Sequence, residues 1–248
     1  MHFRLRATCI HLSLSALLAL ASALLVLQVW YPGQYRFVSG GLELFTLLIV
    51  VDVSLGPLLT FVIADSKKRR TTLLAELAAV CLLQILALAY GMNTVYTARP
   101  VVTVFEVDRF RVLTVDQIAV SELPLAPVGL QTLSLTGPRL IGTRAPAVGS
   151  ESTDALFKGV EGVDIGQRPK FWQPYAASAA QAAAKARPMS VLLTQHSSLN
   201  ARLIAQMRDM NIDPAKSYFL PVNARGDWVA LLDSAGVLLG FLEADGFF

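Results

Sequence analysis

The spacing of apolar positions splits the chain into two parts of different character. Residues 7–29, 42–64 and 73–92 are long apolar runs with at most two strongly polar residues each. Each predicts a membrane-crossing helix, since a hydrocarbon core about 30 Å thick needs roughly 20 residues at about 1.5 Å of rise. After Met92 the pattern shortens. Residues 101–111, with Val101, Phe105 and Val107 apolar, predict a strand that starts soon after the third span. Pro124, Pro127, Pro138 and Pro146 make residues 123–149 a loop region, with at most short strands such as 139–141, and the polar segment 159–170 reads as a mobile loop. Residues 175–186, Ala-rich between Pro174 and Pro188, predict a helix; 190–194 predict a short apolar strand. Ser197 or Ser198 then caps a predicted helix running to Met210, with Leu199, Leu203, Ile204 and Met207 on one face and Asn211 as its stop. The tail reads as a meander of strands 218–222, 228–232 and 237–242, with turns at 224–227 and 233–236. The expected architecture is therefore a three-helix transmembrane bundle over residues 1–92. A far-side α+β domain with an antiparallel C-terminal sheet follows over 93–248.

A cleaved signal peptide would share the basic start at Arg4 and Arg6 and the small residues Ala21, Ser22 and Ala23. Here the apolar run continues past those residues to Trp30 and Tyr31, which read as an interfacial aromatic anchor, so the segment is expected to remain as a span. Charge then orients the spans. Arg4 and Arg6 precede the first, and Lys67, Lys68, Arg69 and Arg70 separate the second from the third, whereas the first loop carries only Arg36. Cations in short flanking loops stay in the cytoplasm, so these four residues are the expected topology determinants and the C-terminal domain is expected in the periplasm.

Composition adds little beyond this. The mean hydropathy of +0.53 is too high for one ordinary soluble globule, and the three runs explain the excess. The net charge of +3 comes from residues 1–96, which hold seven Lys or Arg against four Asp or Glu; residues 97–248 hold fourteen of each. A topological source of the basic balance argues against a nucleic-acid partner. Cys9 and Cys81 both fall in spans, so no disulfide or metal cluster is expected, and the C-terminal domain must rely on its hydrophobic core.

Candidate chemistry is sparse. Asp52 lies near the middle of the second span, where an ionised carboxylate costs at least about 2.5–3.5 kcal/mol, so it needs a partner or a proton. Gly56 lies one turn further on, and Pro57 has no N–H for the carbonyl of Val53, which predicts a kink. Asp52, Gly56 and Pro57 together form a candidate intramembrane contact with another helix, from this chain or from a partner. The plainer reading pairs Asp52 with Gln84 or a hydroxyl inside the bundle. Glu43 cannot join Asp52 in a catalytic pair, since nine residues at about 100° each put them on opposite helix faces. Glu43 and Glu76 read as interfacial residues at helix starts. His196 precedes Ser197 and Ser198 without a nucleophile-elbow motif, and His2 and His11 lie in distant segments. No catalytic residue, cofactor site, metal site or phosphate-binding glycine loop is expected.

Several segments carry a family resemblance: Asp52-Val-Ser-Leu-Gly-Pro-Leu-Leu-Thr60, Lys67-Lys-Arg-Arg70, Ala89-Tyr-Gly-Met-Asn-Thr-Val-Tyr-Thr-Ala-Arg-Pro100 and Val104-Phe-Glu-Val-Asp-Arg-Phe110. In order and spacing over residues 1–115 they resemble the TfpX/TfpZ family of type IV pilin accessory proteins. The resemblance implies a non-enzymatic inner-membrane protein, chaperone-like, that supports the stability or assembly of a type IV major pilin. A membrane-tethered sensor would need a cytoplasmic output element, for which the N-terminus and the loop 65–72 leave little room. An envelope enzyme would need a clustered polar site that the sequence does not display.

Overall fold

The Leu- and Ala-rich runs form helices, as their intrinsic preference and the need to satisfy every backbone polar group in lipid both dictate. In a computed structural model of the chain, which describes residues 1–248, two compact units appear, Met1–Ala98 and Arg99–Phe248. The first contains α1 (His2–Leu24), which ends in a wide π-helical turn over Leu25–Trp30, the short α2 (Tyr35–Val38), α3 (Gly41–Ile63) and α4 (Arg70–Thr97). α3 packs against both α1 and α4. Within the most apolar stretch of each long helix, only 22%, 22% and 11% is buried by the chain itself. The outward leucines need a hydrocarbon surrounding, which makes this unit a membrane anchor.

One aromatic expectation changes. Tyr31 is fully buried rather than interfacial, its ring filling the space beside Gly41 and its hydroxyl donating to the carbonyl of Val95 at 2.8 Å. Trp30 stands edge-on to Tyr96, 5.2 Å between ring centres. The two side chains thus clasp the end of α1 to the end of α4.

In the second unit the expected single strand 101–111 is a hairpin, β1 (Pro100–Glu106) and β2 (Arg109–Thr114). The turn was hidden because its corner is Val107, a β-branched residue at φ 56°, where turn-forming sequences ordinarily place Gly or Asn. β3 (Arg139–Thr143) lies parallel to β1, and β4 (Trp172–Pro174) antiparallel to β3. On the other side, β6 (Tyr218–Ala224) runs parallel to β2, and β7 (Gly226–Leu232) and β8 (Leu238–Glu243) complete the expected meander. The two-residue β5 (Arg187–Pro188) pairs with β6. The order β4-β3-β1-β2-β6-β7-β8 makes a mixed sheet, parallel at β1–β3 and β2–β6 and antiparallel at its other pairings, the C-terminal meander included. β1 is buried along its whole length, as expected for a strand covered on both faces.

Helices α5 (Ser150–Val160), α6 (Ala179–Lys185), α7 (Met189–Gln195) and α8 (Asn200–Asp209) surround the sheet. α7 corrects the expected strand 190–194. A five-residue apolar run is equally compatible with a buried helix turn, and here Met189 and Leu192, three apart, enter the core formed with Leu203, Met207, Phe219 and Leu231. The pairing with β6 is taken instead by Arg187 and Pro188. The predicted helix 175–186 begins as a single 3-10 turn, Tyr175–Ala177, before α6. Asn211 does end α8, at φ 57°. The segment 159–170 is not a free loop: it folds into tight turns that bury Gly166 and Arg168.

Candidate functional site

Polar residues in a lipid-embedded bundle are costly, so where they gather indicates what the bundle is built around. α3 places Asp52, Gly56 and Thr60 at four-residue intervals on one buried stripe, and α1 places His11 and Ser15 on a facing one. Gln84 of α4 reaches between them. Its Nε2 donates to Ser15 Oγ at 2.9 Å and to the carbonyl oxygen of Asp52 at 3.2 Å, and its Oε1 lies 2.6 Å from His11 Nε2. His11 Nδ1 lies 2.6 Å from Thr60 Oγ1. With both Gln84 amide hydrogens so placed, His11 Nε2 is the donor to Oε1 and the threonine hydroxyl donates to Nδ1 in the neutral ring. A Cβ at Gly56 would collide with the Gln84 amide, so this glycine is the notch through which α4 reaches α3.

The candidate residues therefore separate. Gly56 and Pro57 are buried inside the bundle, with Gly56 taken up by Gln84 of the same chain. Asp52, eleven residues from either end of α3, is 6% exposed, and neither carboxylate oxygen has a hydrogen-bond partner. Gln84 does meet Asp52, but at its backbone carbonyl. On the Gly41 half of the bundle Asp52 lines a groove of about 270 Å³ between α3 and α4, whose other walls include Leu48, Val51, Gly91 and Thr94. A second groove, of about 390 Å³, runs between α1 and α4 with His11 and Gln84 on its floor. The His11 and Ser15 contribution escaped the sequence reading; the signal was their four-residue spacing, matching that of Asp52, Gly56 and Thr60.

At the other end of α3 the basic cluster is solvent-facing. Lys67, Lys68, Arg69 and Arg70 are all exposed, with Lys68 Nζ donating to the Ile63 carbonyl at 3.0 Å. Asp65 bridges the loop to α1, accepting from the Lys67 backbone N–H at 2.9 Å and from Arg4 at 3.0 Å. These contacts, the backbone N–H first, hold its carboxyl below the usual carboxylate range.

The soluble unit handles buried charge differently. Arg168, 5% exposed, donates to Glu122 at 2.8 Å and to Asp154 at 2.7 Å, and its guanidinium lies over the Phe171 ring. Glu106, 3% exposed, meets Arg111 at 2.9 Å and accepts from the Gly166 N–H at 2.9 Å. Burial still pushes its carboxyl above the ordinary value, with Arg111 pulling the other way. Gly166 must be glycine, because a Cβ there would strike Glu106 and Val104. His196 lies 2.8 Å from the Asp245 carbonyl and edge-on to Phe248, and the structure brings no second histidine, cysteine or carboxylate set to it.

The chain is similar to proteins of one kind along its length. The family described as fimbrial assembly protein FimB matches residues 1–40. The fimbrial assembly protein of Dichelobacter nodosus serogroup E1 is 32% identical, with 99% of this chain and 96% of that protein covered. The serogroup I protein of the same organism is 31% identical over 99% of this chain and 96% of its own length. The protein of serogroups C1 and C2 is 39% identical over 50% of this chain and 95% of its own length. No solved structure matches the chain. Two relatives above 30% identity over nearly all of both chains, spanning membrane anchor and soluble unit alike, make this chain a member of the fimbrial assembly protein family.

Proposed function

We propose that the protein acts in type IV pilus assembly as a non-catalytic, chaperone-like accessory of the inner membrane, supporting the stability or assembly of a major pilin. The likeness to the Dichelobacter nodosus fimbrial assembly proteins across the whole chain carries this reading, because both the anchor and the soluble unit are shared. The architecture suits the task. A pilin is one long apolar helix bearing a soluble head, and a partner with membrane helices and a separate soluble unit can engage both parts. In this reading the N-terminus and the loop with Lys67, Lys68, Arg69 and Arg70 are cytoplasmic and the unit after Ala98 is periplasmic. Asp52 is the group offered to the pilin within the membrane, while Gly56 and Pro57 shape the helix that presents it.

Deletion of the gene is the test. Pilin level and surface pili should fall and return on complementation; unchanged piliation overturns the proposal. The orientation is tested separately: a periplasm-dependent reporter fused after residue 100 should be active and one fused near Lys68 inactive.

A further inference from the structure

We infer that the groove between α3 and α4 is the seat of a pilin transmembrane helix that presents a hydrogen-bond donor at the depth of Asp52; this rests on the accessory role proposed above. The first reason is the accounting of polar groups. His11, Ser15, Thr60 and Gln84 satisfy one another and the Asp52 carbonyl, while the carboxylate itself, almost wholly buried at the middle of the span, has no donor within the chain. A buried carboxylate without a donor is unfavourable anywhere and more so in hydrocarbon, so the missing partner comes from outside the chain.

The second reason is the shape of the groove. Its walls are apolar at Leu44, Leu47 and Val51, with Leu48 packed onto Gly91 to close its floor, a surface that suits another apolar helix. A lipid acyl chain would cover those walls and still bring no donor. A second copy of this chain exposes mainly leucine at mid-span, at Leu17, Leu20, Leu83 and Leu86, with Ser54 an exposed hydroxyl near that depth. The accessory role proposed above favours the pilin over that copy, and adducts to the copy in the experiment below would decide against the pilin. The complementary surface is that of a foreign helix, apolar overall and carrying an amide, hydroxyl, amine or protonated carboxyl halfway across the membrane.

The experiment uses the full chain in piliated cells, with a photo-crosslinking amino acid at Val51, at Thr94, or at Leu20 on α1, and detection of adducts by antibody to the pilin. Strong pilin adducts at Val51 and Thr94 and weak ones at Leu20 are expected. Normalised to the amount of membrane-inserted protein, Asp52→Leu should lower the yield at Val51 roughly fivefold, the scale of one interhelical hydrogen bond in a membrane, while Asp52→Asn keeps most of it. Equal yields at all three positions, adducts to a second copy of this chain, or a yield indifferent to Asp52→Leu would each overturn the groove assignment. Should Asp52→Leu fail to accumulate, the position map and the Asp52→Asn variant still decide. Loss of pili on gene deletion without groove adducts removes this inference and leaves the accessory role. Normal pili on deletion remove both.

Discussion

The two units bury polar groups under opposite constraints. In the soluble unit Arg168 sits between Glu122 and Asp154, and Glu106 between Arg111 and a backbone N–H, so each buried charge is matched inside the chain. In the membrane unit the matched groups are neutral, and the one buried carboxylate is left without a donor. A soluble core can recruit counter-charges from nearby surface, as Asp154 and Lys170 show, whereas a lipid-facing bundle has none to recruit. Single atoms such as Glu122 Oε2 and Arg168 Nη1 also go unbonded in the soluble unit, but there the side chain as a whole is paired, whereas at Asp52 both carboxylate oxygens lack a donor.

The contrast is most exposed at Arg168. Arg168→Ala leaves Glu122 and Asp154 with Lys170 as their remaining cation, 3.0 Å from Asp154 but 4.0 Å from Glu122, and should destabilise the soluble unit by about 3 kcal/mol, the low end for breaking a buried pair. Thermal unfolding of the full chain in detergent, followed by fluorescence of Trp172, whose indole N–H bonds the Gly166 carbonyl six residues back, reads this directly. A loss below about 1 kcal/mol would mean that the buried cation is not what holds the segment. Asp52→Leu should act with the opposite sign. In protein purified without pilin it should raise the stability of the bundle, by about 2–3 kcal/mol if the carboxylate is ionised, and destabilisation instead would break the contrast. Gln84→Ala, which removes the bonds to His11, Ser15 and the Asp52 carbonyl, should cost about 1–2 kcal/mol in the same bundle-unfolding measurement.

The smallest effect is a pH dependence in the soluble unit. Glu151, gripped by Arg144 and the Ala147 N–H, has its carboxyl lowered to about 2. A depressed folded-state value means its contribution is present above the ordinary value of 4.5 and is lost as pH falls toward 2. Wild type and Glu151→Gln should therefore differ in melting temperature at neutral pH and converge near pH 2. Glu106 titrates in the reverse sense. Its raised carboxyl contributes at low pH and loses that contribution as pH climbs through the folded-state value, so Glu106→Gln should gain on wild type as pH rises above 4.5.

Sequence alone determined the three spans, the residues that separate them, the C-terminal meander and the singular position of Asp52, because apolar length, alternation and charge are local quantities. It misread residues 190–194, where a short apolar run fits either a strand or a helix turn until Met189 and Leu192 meet their core partners. It missed the β1–β2 turn, since Val107 carries no turn signal. It took residues 159–170 for a loop because nothing local announces that Arg168 will be drawn under Glu122 and Asp154. At Asp52 the sequence posed the question of a partner and offered Gln84 as one answer. Only the packing of α1, α3 and α4 decided that Gln84 is directed to His11, Ser15 and the Asp52 carbonyl, leaving the carboxylate buried without a donor. The physical reason is that a hydrogen bond depends on direction as well as proximity, and direction across helices is set by how they dock, which no single segment encodes.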